Sequence, residues 1–224
     1  IDPQNPDWEE RDRFVLSKGH SGPSLYAALA LKGYFPMEEL KTLNKGGTNV
    51  PSHCDRLRTP GIDMTTGSLG QGVSTAIGLA VGMRLKGLDS YTYLVIGDGE
   101  MQEGQVWEGA EFAAHHKLDN LIAFVDYNKK QLDGPVENIC KSFDIQGKFE
   151  SFGWHGQTVK GYDVQEIYQA ICMAKDQKGR PSIIVLDTVK GKGCNFAEFA
   201  DFNHYMVVND EMAAEAIRVI KESI

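Results

Sequence analysis

The sequence predicts an α/β fold, a parallel sheet with helices on both faces. Three observations carry that expectation. Short β-branched or aromatic runs alternate with helical patterns from about residue 67 onward, which is the pattern of βαβ units. The run at 120–126 is apolar without polar alternation, as strands buried on both faces are. The runs end abruptly in turn residues, and such units close by right-handed crossovers.

The elements follow in order. Residues 14–17 read as a short strand running into Lys18-Gly19-His20-Ser21-Gly22, with a helix over 23–31 behind it. Residues 42–63 hold Gly, Pro, Asn and Asp with little periodicity, so they read as a long loop, functional or mobile. Residues 67–86 carry Ala, Ile, Leu, Val and Met at helical spacing, a mostly buried helix. Residues 91–96 are a strand feeding the turn Gly97-Asp98-Gly99. A helix over 103–117 ends in basic residues that suit its dipole, and 120–126 is a second continuous apolar strand. Helices over 143–152 and 164–178, strands at 158–159 and 182–189, and a last helix from about 210 complete the pattern.

Composition bounds the function. The 224 residues include 23 Lys+Arg against 31 Asp+Glu, a net charge of −8, and are 42% hydrophobic. That is one ordinary globular domain, residues 1–224, not a disordered chain. With no cationic excess it is expected to bind neither nucleic acid nor an anionic membrane surface. No apolar run suits a transmembrane helix and no signal peptide is visible. Cys54, Cys140, Cys172 and Cys194 are far apart, without metal spacing, and read as reduced thiols of a cytoplasmic protein. The chain starts at Ile1 rather than Met, which reads as a processed or truncated beginning.

Two strand ends carry chemistry. Gly97-Asp98-Gly99 places a carboxylate between residues that let a ligand approach the backbone, at the edge where open α/β sheets bind ligands. Asn128 follows the next strand thirty positions later, so a carboxylate and a carboxamide oxygen converge from neighbouring strand ends. Oxygen ligands of this kind suit Mg²⁺ or Ca²⁺ completed by phosphate oxygens. Asp126, by strand alternation, is expected to be buried and turned away. Competing phosphate motifs fail: there is no GxxxxGK[ST], Gln102 stands where GxGxxG needs a small residue, and Gly191-Lys192-Gly193 lacks a second half.

Gly97-Asp98-Gly99 with Asn128 after a spacer of 28 residues resembles the thiamine-diphosphate fingerprint. Glu100-Met101-Gln102-Glu103-Gly104 narrows the resemblance to transketolase, and Arg11 to His20, Thr65 to Gly72 and Leu132-Asp133-Gly134 agree. The resemblance runs from about residue 6 to 205 and is to the N-terminal, diphosphate-binding domain alone. It implies that Asp98, Asn128 and the carbonyl of Lys130 hold Mg²⁺ (or Ca²⁺ or Mn²⁺). It implies that His20, Gly99 and His204 face the diphosphate, and that Gly67, Ser68 and Leu69 line the cofactor's rings. His53, in Val50-Pro51-Ser52-His53-Cys54, would contact the donor sugar, although Ser52 replaces the family's usual Gly. Glu103 would join a carboxylate network across a dimer interface. His20, His53, His204 and Glu103 are the catalytic candidates; His115, His116 and His155 read as ordinary histidines.

The resemblance further implies ketol transfer between sugar phosphates. The carboxylate that bonds the aminopyrimidine lies, in the family, in a pyrimidine-binding domain that this sequence does not contain. A separate C-terminal transketolase subunit is therefore the expected partner, with a homodimer core completed as a heterotetramer. By the same resemblance, the family's first fifty or so residues, with one further catalytic histidine, are missing before Ile1, either cut off or left out of this sequence. The alternatives are a deoxyxylulose-phosphate-synthase-like enzyme, against which Gln102-Glu103-Gly104 counts, and a non-catalytic scaffold, against which the complete set of site residues counts.

Overall fold

Every strand expected from the apolar runs pairs in parallel, in a computed structural model that describes residues 1–222; the last two residues of the expected domain lie outside the described residues. β1 (Arg13–Leu16) leads through a 3-10 turn into α1 (Gly22–Lys32). A long connection reaches α2 (Gln71–Leu85), β2 (Thr92–Gly97), α3 (Gly104–His115) and β3 (Leu121–Tyr127). A small ribbon of β4 (Lys130–Gln131) and β5 (Gly134–Pro135) precedes α4 (Val136–Ile139) and α5 (Ile145–Ser151). β6 (His155–Lys160), α6 (Val164–Asp176) and β7 (Ser182–Asp187) follow, then α7 (Asn195–Glu198) and α8 (Asp210–Glu222).

The spatial order is β1-β2-β3-β7-β6. The chain advances along the sheet as far as the edge strand β6, then steps back to insert β7. Right-handed crossovers put the helices of forward and backward steps on opposite faces. Accordingly Ala76 and Ile77 of α2, Ala110 and Ala113 of α3 and Phe149 of α5 pack on Leu94, Ile96, Ala123, Val125 and Val185. Ala170 and Ala174 of α6 pack on Ile122, Phe124 and Ile184 of the other face. Strand alternation thus feeds two cores, as the unbroken apolar runs require.

Several boundaries shift by a few residues, and three departures from expectation have a clear physical cause. α2 starts at Gln71 rather than 67, because Gly67 and Gly70 hold φ of +143° and +82°, outside the right-handed helical region. The 42–63 connection is a wall rather than a mobile loop: Val50, Cys54 and Ile62 are buried with Leu16, Tyr26 and Leu29, and the Tyr26 hydroxyl donates to the Pro51 carbonyl at 2.9 Å. β6 runs over six residues instead of two, since an edge strand tolerates the polar residues of His-Gly-Gln-Thr-Val-Lys. No described helix is long and apolar enough to cross a membrane, and the four cysteines are free thiols.

Candidate functional site

The carboxyl ends of β1, β2, β3 and β7 open on one cleft of about 1290 Å³. At the end of β2, Asp98 is only 2% exposed. One carboxylate oxygen accepts from the Gly99 N–H at 2.8 Å and the other from the Lys129 N–H at 2.6 Å. Burial pushes its carboxyl up to about 6, against the pull of those two N–H groups and of Lys18. At the end of β3, Asn128 donates from Nδ2 to Asp126 at 3.0 Å and accepts at Oδ1 from the Lys130 N–H at 3.1 Å.

Asp126 corrects the sequence reading. It pairs in register with Gly97, is part-exposed, lines the cleft and forms an ion pair with Lys18. The reason is tertiary: Gly97 has no side chain, so the aliphatic stem of Lys18 lies beside it on the way to Asp126. Asp126 in turn fixes which end of the Asn128 carboxamide faces away from it.

At the end of β1 the chain turns through Lys18 and Gly19 to His20, whose ring lies 5.0 Å from that of His204. Lys190, in the turn after β7, places its ammonium 2.8 Å from His204 Nδ1. Partial burial in the cleft wall, then the facing His204, Lys18 and Lys190, hold the His20 imidazole down at about 4. Burial and Lys190 lower His204, and burial and Lys18 lower Lys190. Two ammonium groups, Lys18 and Lys190, thus stand beside two neutral imidazoles in the same cleft, a set of donors that suits an anion.

A pH dependence follows for the unliganded chain. His20 titrates near 6.5 when unfolded and near 4 when folded, so the unfolded chain binds more protons between those values. Stability from this group is complete above pH 6.5 and falls as pH drops toward 4. The urea midpoint should drop more between pH 7 and pH 4.5 in the unmodified chain than in His20→Gln; equal drops would refute the assignment.

In the same cleft the His53 ring lies against Gly67: a Cβ added there would stand 2.6 Å from His53 Cδ2. Only glycine accommodates that approach at φ +143°. Leu69 lines the same wall. Glu103 is exposed at the start of α3, its stem against Gly70. The Lys130 ammonium donates to the Ala200 carbonyl at 2.7 Å, tying the segment that carries His204 to the ribbon.

Every residue nominated from the sequence lines this cleft except Ser68, which is exposed beside it. Sequence reasoning missed Lys18, Glu100 and Lys190, which also line it. Lys190 had a legible signal, the glycine-flanked lysines of Val189-Lys190-Gly191-Lys192-Gly193 directly after a strand. Among the described residues no group of three His, Cys, Asp or Glu forms a metal cage. The donor set nevertheless fits a hard cation that takes one carboxylate, a carboxamide and phosphate oxygens, with the ammonium and imidazole groups beside it for the phosphates.

A parallel α/β domain with amide, ammonium and imidazole groups gathered at its strand ends belongs to the class that binds phosphorylated ligands at that edge. Residues 1–220 match the family described as transketolase, thiamine diphosphate binding domain, and the chain belongs to that family. It is 53% identical over 222 residues to a 6-deoxy-6-sulfo-D-fructose transketolase subunit of Clostridium sp. (strain MSTE9), covering 99% of this chain and 81% of that one. It is 33% identical to an apulose-4-phosphate transketolase subunit of Phocaeicola vulgatus, covering 99% and 79%. The transketolase of Campylobacter jejuni superposes with a TM-score of 0.91 at 32% identity, over 97% of this chain and 35% of that one. The chain thus spans about a third of a solved transketolase and most of the length of the relatives named as subunits.

Proposed function

We infer that this chain is the diphosphate-binding half of a transketolase, completed by a separate chain that carries the pyrimidine-binding domain. The observation that carries the reading is the meeting of Asp98 and Asn128 at adjacent strand ends beside Lys18, His20, Lys190 and His204. The relatives named as transketolase subunits support the division into two chains.

In this reading the Asp98 carboxylate, the Asn128 carboxamide oxygen and the Lys130 carbonyl hold Mg²⁺. Lys18, His20, Gly99, Lys190 and His204 face the diphosphate, and Gly67, Ser68 and Leu69 line the cofactor's rings. Thiamine diphosphate, when bound, supplies the carbon nucleophile and electron sink for a two-carbon unit. His53 holds a proton toward the carbonyl oxygen of the donor sugar, and His20, neutral at physiological pH, remains able to accept one. Glu103, exposed at the start of α3, faces the partner protomer. The substrate class is a ketose with a terminal anion and an aldose acceptor, in line with the sulfonate and phosphate sugars that name the relatives.

The assembly is a homodimer core carrying two partner chains, which would cover Leu85 and Phe112 on the outer ends of α2 and α3. The free thiols fit a cytoplasmic enzyme. Mixing the chain with the pyrimidine-domain subunit, Mg²⁺ and thiamine diphosphate should restore ketol transfer that neither chain shows alone. Full activity in the isolated chain, or a strict monomer by light scattering with and without the partner, would overturn the corresponding part of this reading.

A further inference from the structure

Glu100 is a buried carboxylate that the site described above does not use. It is 2% exposed, at the edge of the cleft. One of its oxygens accepts from the Ser17 hydroxyl and from the Gly70 N–H at 2.8 Å. The other accepts from the Gly97 N–H at 3.1 Å. All three donors are neutral.

The three donors come from three segments, and each segment runs directly into cofactor-facing residues. Ser17 precedes Lys18 and His20, Gly70 follows Gly67 and Leu69, and Gly97 precedes Asp98 and Gly99. The segments touch so closely that side chains have no room between them. A Cβ on Gly72 would stand 2.4 Å from Ser17 Oγ, and one on Gly19 would stand 2.6 Å from the Thr66 carbonyl oxygen. The Thr66 hydroxyl also donates to the Leu16 carbonyl at 2.6 Å.

We propose that Glu100 is a positioning residue that locks the ends of β1 and β2 and the Gly67–Gly70 turn into one preformed cradle for the diphosphate cofactor. The proposal rests on the cofactor reading above. A buried carboxylate without a cation is costly unless its lone pairs are satisfied, so its three bonds hold their donors in place strongly. A glutamine at the same position offers one acceptor oxygen and turns an NH₂ group toward a backbone N–H. The same shape then supports one side of the cradle and repels the other.

The test compares Glu100→Gln, Glu100→Asp and Ser17→Ala with the unmodified chain, using Glu38→Gln as an exposed control. Backbone amide exchange on the unliganded full chain is read by NMR at Gly70 and Gly97. Thiamine diphosphate with Mg²⁺ is titrated calorimetrically, with and without the pyrimidine-domain subunit. Glu100→Gln should expose both amides and weaken the cofactor by about tenfold to a hundredfold, the usual cost of losing a group that orients a ligand-binding one. The kcat at saturating cofactor should change far less than the KM for cofactor, a split that a general loss of folding does not produce. Glu100→Asp should recover part of the affinity. If Glu100→Gln does not fold, Ser17→Ala decides, with an expected weakening of about two- to tenfold, the worth of one hydrogen bond. A dissociation constant within twofold of the unmodified value in whichever variant folds overturns the proposal. Failure of the unmodified chain to bind thiamine diphosphate overturns the cofactor reading instead, while unchanged Gly70 and Gly97 exchange would still overturn the cradle.

Discussion

Asp98→Ala should abolish the proposed magnesium-dependent binding of thiamine diphosphate while the chain stays folded. The diphosphate is anionic and the chain carries a net charge of −8, so attraction must come from the cleft's own cations and from a bound metal. Asp98 is the one carboxylate in the proposed ligand set, and Asp126 is engaged by Lys18 and Asn128. The loss should exceed about a hundredfold, more than the effect typical of residues one step removed from the metal. The fold survives because two costs oppose each other. Removing the carboxylate strands the Gly99 and Lys129 N–H groups, at about 1–3 kcal/mol each if water cannot reach them. Holding a carboxyl whose value is raised to about 6 already costs about 3 kcal/mol at neutral pH, and that cost disappears with it. Asn128→Ala should be milder, since water can replace a neutral oxygen. Calorimetric titration of each variant in the reconstituted complex checks both; an Asp98→Ala complex that binds like the unmodified one would sink the metal assignment.

Gly19→Ala should destabilise the chain by about 3 kcal/mol, at the upper end for forcing one methyl group into a packed interior. The added carbon meets the Thr66 carbonyl oxygen at 2.6 Å, its carbon at 2.7 Å and the Gly67 nitrogen at 2.9 Å. All three are backbone atoms, which cannot swing aside as a flexible side chain does. Relief requires the β1 end and the 66–70 turn to separate, which also moves His20 away from Gly67. Stability and cofactor affinity should therefore fall together. Gly46→Ala is the control, because nothing lies within 4 Å of its added carbon. Urea midpoints settle the comparison, and a Gly19→Ala midpoint equal to that of Gly46→Ala would overturn it.

Much of this site was legible because its markers are local. Asp98 and Asn128 each follow a continuous apolar strand and sit in turn residues, so short-range pattern alone places them at one sheet edge. His20 and His53 are legible for the same reason, embedded in Gly, Pro and Ser turns. The role of Asp126 was misjudged because its partner, Lys18, lies 108 positions away and no local rule joins them. Glu100 entered the sequence reading only as part of the Glu100–Gly104 motif, because two of its donors, Ser17 and Gly70, lie 83 and 30 positions away. Strand order and the extent of β6 were not legible, since an edge strand paired on one side shows neither an unbroken apolar run nor a clean alternation.

The backward step that inserts β7 between β3 and β6 also sets an order of assembly. β6 and β7 meet across the single helix α6, whereas β3 must find β7 about sixty positions further along the chain. Loop-closure entropy makes the nearer pairing the easier one. On a ribosome, where earlier segments emerge first, β1, β2 and β3 can associate while the sheet still ends at β3. The β6-α6-β7 unit then docks as a block and brings Lys190 and His204 with it. The wall carrying Asp98 and Asn128 can thus form before the wall carrying Lys190 and His204, and the cleft is complete only when the last third of the chain has been made.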